Sequence, residues 1–311
     1  MPEPVHPEAA GIWNRELADR RLLVLGASGW FGRTAMAMSE GLPVLAVGSR
    51  ARTFRVLDRE IRCEAWDEER ILEFAPTDVV DCAFLTRDRV TSVGLGDYVA
   101  MNRELTSRAR WTTRLDSVHR LLTISSGAAV HPVDALTTPL EQNPYGFLKR
   151  EAEEQLRTDA EETGCAIAIV RAWSVSGPFV RIARSYALSD MVLQARKGRI
   201  AIRADHPVLR RYVAVEDLLA VGLSSAQNAV TTVDSGGRLV EMSELAELVS
   251  EAVGGPVEIS RPPLVDTRVD DYAAEPEIWS RAAARAHLVP RSLEQQLAAV
   301  AQWLPDDAVT N

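Results

Sequence analysis

An α/β fold, a doubly wound parallel sheet with a smaller C-terminal α/β lobe, is what this 311-residue sequence predicts, on three observations. Short apolar runs alternate with amphipathic helical segments as far as Arg171, the pattern of strand–helix–strand units that builds a parallel sheet. The first unit, "LVLGASGWFGRTAM" at residues 24–37, carries a buried strand through glycines spaced three apart, Gly26, Gly29 and Gly32, into a helix. Beyond Trp173 the alternation loosens. The expected division is therefore residues 1–172 and 173–311, with a return segment near 211–226 packing on the first part.

The elements follow in order. After a loose leader, "MPEPVHPEAAG", comes the first strand, "RLLVLG", and a helix to residue 40. "LPVLAVGSR" and "IRCEAW" read as strands two and three, and "EERILEFA" as a helix. "DVVDCAFLT" is a fourth strand, followed by a long helix from Tyr98 to Leu115 and a fifth strand, "RLLTISSG". A charged helix from Tyr145 ends at Gly164, which can cap it, and "AIAIVR" is the sixth strand. In the second half "SYALSDMVLQARKG" and "SELAELVSEAVGG" are helical, "TTVDSGG" reads as a turn and "VEIS" as a short strand. "EPEIWSRAAARAHL" and "SLEQQLAAVAQWL" close the chain as N-capped helices.

Composition excludes several classes of function. A net charge of -9 leaves no basic surplus for nucleic acid as the main partner. Cys63, Cys82 and Cys165 are odd in number and far apart, which suits buried free thiols better than a disulfide framework or a metal site. No apolar run approaches the roughly 20 residues that span a bilayer. The acids and prolines of the leader are unlike a signal peptide, so the expected location is cytoplasmic.

The glycine turn suits a dinucleotide phosphate. Gly26, Ser28, Gly29, Trp30, Phe31 and Gly32 form a turn whose small residues admit a pyrophosphate and whose helix start offers free N–H groups. A plain strand–helix corner is the competing reading. Where strand two ends, an acid favours NAD and an arginine accommodates the 2′-phosphate of NADP. Here "VGSRAR" places Ser49, Arg50 and Arg52, with no acid, so NADP(H) is expected over NAD(H). Further on, "NPYGFLK" sets Tyr145 and Lys149 four apart at a helix start, on one face. With five tyrosines and two lysines in the chain, chance would give this spacing about 0.03 times. A neighbouring ammonium would lower the phenol's pKa from about 10 and make it an acid–base catalyst. That pair decides for the cofactor site.

With those residues in place, the sequence resembles the extended short-chain dehydrogenases/reductases, and within them the NAD(P)-dependent epimerase/dehydratase group acting on nucleotide sugars. The resemblance spans nearly the whole chain. Its motifs are the glycine turn, "VVDCAF", Asn102, "ISSG", Tyr145 with Lys149, "RAWSVSGP", "RRYVAVEDLL" and the closing "SLEQQLAAVAQWL". It implies a Rossmann domain for the first part, Tyr145 as acid–base, Lys149 on the nicotinamide ribose and Asp67 against adenine. It also implies Arg210, or else Arg211, on the nucleotide diphosphate. Counted back from His131, where the family commonly has tyrosine, the catalytic hydroxyl position falls on Gly127. A one-residue shift restores Ser126, preferred to Ser125. His131 itself is a candidate substrate contact, against the plainer role of a loop residue.

The dehydratases of this group resemble each other in an Asp–Glu pair after that hydroxyl, whereas this chain has Gly127, Ala128 and Ala129. The expectation is therefore an NADPH-dependent reductase of a nucleotide-linked keto-sugar. An epimerase on the same site is the alternative, with a dehydratase ranked lower and a non-catalytic NADP-sensing protein a distant third. By the same resemblance a homodimer would form through helices 98–115 and 145–163, although the charge on the second helix counts against an obligate interface.

Overall fold

The structure, a computed structural model, describes residues 3–132, 136–227, 229–265 and 268–304. The leader, expected to be loose, is a helix, α1 (Pro7–Glu16). Pro7 occupies its first turn, where a missing N–H costs nothing. Ala9, Ile12, Trp13 and Leu17 fall at i, i+3, i+4 and i+8 and are all buried. That spacing is a legible helix signal that the flanking prolines obscure.

The chain continues through β1 (Leu22–Leu25), α2 (Trp30–Met38), β2 (Val44–Gly48), β3 (Arg52–Val56), β4 (Arg59–Ala65), α3 (Glu68–Phe74) and β5 (Asp78–Asp81). Next come α4 (Val90–Val93), α5 (Leu95–Thr112), β6 (Arg120–Ser126), α6 (Pro144–Thr163) and β7 (Ala166–Ala172). The second half holds β8 (Ser174–Ser176), α7 (Ala187–Ala195), β9 (Arg199–Ala201), β10 (Val208–Ala214), α8 (Val215–Ser225) and β11 (Val230–Asp234). It closes with β12 (Leu239–Glu241), α9 (Met242–Val253), β13 (Glu258–Ser260), β14 (Asp270–Tyr272), α10 (Pro276–Arg285) and α11 (Leu293–Trp303).

Eight strands form the main sheet in the order β11-β7-β6-β5-β1-β2-β4-β3, parallel except for the β3–β4 pair. Strand alternation sends Leu22, Val24, Leu122, Ala168 and Val170 to the face covered by α2 and α8. Leu23, Leu25, Leu121, Ile167 and Ile169 go to the other face, with Ile71 of α3, Ala109 of α5 and Leu156 of α6. Because both faces are covered, the strands read as continuous apolar runs. From β1 the chain moves to β2 on one side, whereas β5 pairs on the other. A crevice opens at such a switch, outside the carboxyl ends of the strands.

Two strands depart from the sequence reading. β3 is an antiparallel edge strand joined to β4 by a turn at Leu57, whose φ of 53° is left-handed. Without glycine or asparagine in that turn, the hairpin carries no sequence signal. "TTVDSGG", read as a turn, instead supplies β11, which pairs parallel with β7 from Val230 to Asp234. Its β-branched Val230, Thr231, Thr232 and Val233 suit a strand, and the closing glycines belong after it. The return to the first sheet thus extends through residue 234, beyond the expected 211–226.

β10 is the hub of the smaller sheet, pairing with β8, β12 and β14, while β9 pairs with β13. α11 starts with a capping box between Ser292 and Gln295, whereas α10 has no side-chain cap and starts on Pro276. All three cysteines are free, Cys63 and Cys165 buried and Cys82 half-buried. Among the described residues no helix is long and apolar enough to cross a membrane, and no group of His, Cys, Asp or Glu could hold a metal ion.

Candidate active site

β1 ends at Leu25 and delivers the chain to Gly26, whose φ of 74° is left-handed. A Cβ there would lie 2.8 Å from the backbone of Cys82 and Ala83. No side chain caps α2, so the N–H groups of its first turn face outward, where an anion is welcome. Beside this turn lies a cavity of about 260 Å³. Gly26, Ser28 and Gly29 form one wall, Ser49 and Arg52 another, and Trp66, Cys82 and Phe84 the far side. Arg108 and Arg181 also reach it.

The expected cofactor residues divide on this geometry. Arg52 opens β3 with its Nε buried and unpartnered, and its guanidinium donates to Ser49 Oγ at 3.3 Å. Arg50 lies outside the lining, because the bend between β2 and β3 turns it out to solvent. Asp67 is outside as well: its carboxylate caps α3, accepting from Arg70 N at 3.1 Å, and Trp66 takes the wall. Trp30, Phe31 and Gly32 lie behind the turn rather than in the lining, with Trp30 packed on Phe31 and Tyr186.

At the other end of the cleft, α6 begins with Asn143 capping Gly146 N and Pro144 in the first turn, which fixes Tyr145 at the helix start. β6 ends at Ser126, and strand alternation separates the two candidate serines. Ser125 falls under α6 and donates to Glu153 Oε1 at 2.5 Å. Ser126 lies near enough to the Tyr145 phenol to oppose the rise in its pKa, and accepts from Ala128 N at 3.2 Å. A Cβ on Gly127 would lie 2.4 Å from the Trp173 ring, so that position has no room for a hydroxyl. The structure thus pairs Tyr145 with Ser126 and occupies Ser125 elsewhere.

The expected tuning of Tyr145 by Lys149 is not what the fold builds. Lys149 Nζ donates to Ile124 O at 2.6 Å and lies 3.6 Å from the Phe84 ring centroid. Phe84 packs edge-on against Tyr145 at 5.8 Å. Burial lowers the Lys149 pKa to about 8, against the pull of Asp81, Glu153 and Cys82. Burial pushes the Tyr145 phenol well above its ordinary value, with only the nearby Ser126 hydroxyl opposing. One helix face carries both groups, but Phe84 packs against each of them.

Sequence reasoning missed several neighbours. Tyr272, from β14, reaches across from the smaller sheet and lies 3.3 Å from Ser126 Oγ. It packs with Trp173 at 4.9 Å and with His131 at 5.3 Å. His131 therefore sits in an aromatic cluster beside Ser126. Glu153 takes a two-pronged bond from Arg171, whose other nitrogen lies 3.8 Å from Asp234. Asp234 in turn accepts from Trp173 Nε1 at 2.8 Å. Glu153 was detectable, being four residues beyond Lys149 on the same helix face, whereas Tyr272 had no local signal. Of the expected diphosphate arginines, Arg210 is occupied by Asp270 at 2.8 Å and stacks over Tyr272, whereas among the described residues Arg211 bonds only Gly237 O and keeps a buried, unpartnered Nε.

The profile of the NAD dependent epimerase/dehydratase family matches residues 22–235, from β1 through β11. The chain belongs to this family. A comparison with curated protein sequences finds no significant match. Among solved structures, this family member is similar to MoeE5 in complex with UDP-glucose and NAD, at 21% identity and a TM-score of 0.69, over 91% of this chain and 98% of that one. It is similar to the epimerase Mth375 of Methanothermobacter thermautotrophicus, at 17% and 0.71, over 96% of both chains. It is also similar to a UDP-glucose 4-epimerase of Thermotoga maritima with UDP-glucose, at 20% and 0.66, over 91% of this chain and 98% of that one. At such identities the likeness is one of fold, and it agrees with the expected Rossmann-type α/β architecture.

Proposed function

We propose that this epimerase/dehydratase-family chain is a nucleotide-sugar epimerase that inverts a ring carbinol. The observation that carries the reading is that Tyr145 and Ser126 lie together, with no second acid–base pair following at Gly127, Ala128 and Ala129. An elimination would need such a pair, whereas inversion by oxidation and reduction at one carbon does not. The structural neighbours with UDP-glucose favour the same reading over net reduction.

The cavity fits a nicotinamide dinucleotide: Gly26 leaves the space that a Cβ would fill, and Arg52 keeps a buried, unpartnered Nε. Gly26, Ser28 and Gly29 would hold the pyrophosphate, and Arg52 with Ser49 the adenosine ribose end. When bound, the cofactor supplies a reversible hydride acceptor. Tyr145 takes the proton from the carbinol oxygen and returns it, while Ser126 orients that oxygen. The raised pKa of Tyr145 favours the donating half of this exchange, and the positive charge of an oxidised nicotinamide would favour the accepting half. Arg211, with its free Nε, is the better placed of the two expected diphosphate arginines. Pairing through α5 and α6 into a homodimer remains part of the proposal.

A second reading, net reduction with NADPH, rests on Arg52, because an arginine at the ribose end suits a 2′-phosphate. One experiment separates the two. Incubated with UDP-glucose or UDP-glucuronic acid, the epimerase yields the C4 epimer with no fall in nicotinamide absorbance. Stoichiometric NADPH consumption with a 4-keto-6-deoxy nucleotide sugar, and no epimer, would establish the reductase instead.

A further inference from the structure

We propose that Arg181, on the loop following β8, is a phosphate ligand of the dinucleotide site, so that the second half of the chain itself grips the cofactor. This rests on the reading of the cavity as a dinucleotide site. Residues 177–186 lie against the start of α2. A Cβ on Gly177 would sit 3.2 Å from Trp30 Nε1, and the Tyr186 ring packs edge-on against Trp30 at 4.8 Å. Trp30 follows Gly29 directly, so this contact carries the loop to the glycine turn. Arg181 reaches the cavity wall shared with Gly26, Ser28, Gly29 and Arg52.

Charge identifies the ligand class. Arg33 stands behind the turn, donating to Ser28 O at 3.1 Å and Arg55 O at 2.9 Å. Its pKa is lowered by burial and by the nearby positive charges of Arg181 and Arg52. None of the three forms an ion pair with a carboxylate among the described residues, and Arg181 has no hydrogen bond there either. One charge each gives three positive charges gathered without an anion. Mutual repulsion in a half-enclosed site disfavours that arrangement until an anion arrives. A pyrophosphate brings two negative charges, and a phosphate monoester adds about 1.5 to 2 more. The guanidinium fork matches either group. The shared chemistry is a phosphate of a dinucleotide.

Calorimetric titration of NADP+, NAD+ and adenosine 2′,5′-bisphosphate into the full chain, Arg181→Ala, Arg181→Lys and Arg52→Ala tests this. Arg181→Ala should weaken NADP+ binding about tenfold to a hundredfold, the usual range for a lost charge-assisted hydrogen bond. Arg181→Lys should recover part of it by restoring the charge without the fork. A loss shared by NADP+ and NAD+ places Arg181 on the pyrophosphate. A loss confined to NADP+ and the bisphosphate places it on the 2′-phosphate. Unchanged affinities in both Arg181 variants, with Arg52→Ala weakened, overturn the assignment and leave the cofactor site standing. Failure of the unaltered chain to bind either dinucleotide overturns the site and the assignment together. Arg181 holds no hydrogen bond among the described residues and repels Arg33, so a ligand-free melting temperature that does not fall in Arg181→Ala completes the expected result.

Discussion

At the glycine-turn end of the cleft, Arg52 and Arg181 line a 260 Å³ cavity with Arg33 behind its turn, and none of the three pairs with a carboxylate among the described residues. At the Ser126 end the buried Glu153 is met by Ser125 and by both prongs of Arg171, and Tyr272 fills the space over Ser126. One end leaves charge unbalanced and space open, as a site completed by its ligand does. The other satisfies its own charges and holds the Ser126 and Tyr145 hydroxyls by packing. On the proposed reading, binding and chemistry are divided between a cationic pocket and a prearranged polar core, and substitutions at the two ends should fail in different ways.

The sharpest contrast lies at Tyr145. Tyr145→Phe removes a proton donor and leaves the cavity intact, so turnover should fall by about 10²–10⁴-fold while cofactor affinity holds. Steady-state rates with parallel cofactor titrations check this, and retention of more than about a tenth of the activity would remove Tyr145 from the chemistry.

Glu153→Ala should act on stability. Among the described residues it leaves Arg171 with only Asp234 at 3.8 Å, and breaking a buried pair costs about 3–5 kcal/mol. Urea unfolding measures it, and a loss below about 1 kcal/mol would show the pair to be idle.

Lys149 gives a pH signature of comparable size. Its pKa is about 8 folded against 10.5 in the unfolded chain. Between those values the unfolded state binds more protons, so stability should rise with pH from about 8 to 10.5. Below about 8 the full burial cost applies, on the order of 3 kcal/mol. In Lys149→Met that portion of the rise should vanish, and equal pH slopes for the two proteins would place the ammonium in solvent.

The smallest effect is expected at Tyr272. Tyr272→Phe keeps the ring against Trp173 and His131 but loses the contact with Ser126. One net hydrogen bond of about 1 kcal/mol predicts about a fivefold fall in kcat at constant KM. A rise in KM with kcat unchanged would make Tyr272 a substrate contact rather than a brace for Ser126.

The alternating apolar runs, the glycine turn and the four-residue spacing of Tyr145 and Lys149 were all legible in the sequence by itself. They determined a doubly wound sheet, a phosphate-sized turn and two functional groups on one helix face, because strand and helix periods and glycine's lack of a side chain are local properties. Arg50 and Arg52 read alike in one dimension. A bend before β3 sends one to solvent and the other to the cavity. The sequence preferred Ser126 to Ser125 only by assuming a one-residue shift, until β6 directed them to opposite faces and Trp173 closed the Gly127 position. Tyr272 and Arg181 lie far along the chain from the residues they meet, 146 positions in the case of Tyr272 and Ser126. No local pattern encodes such meetings. Only the packing of the second half onto the first decides them, because contact between distant segments depends on the whole fold being closed.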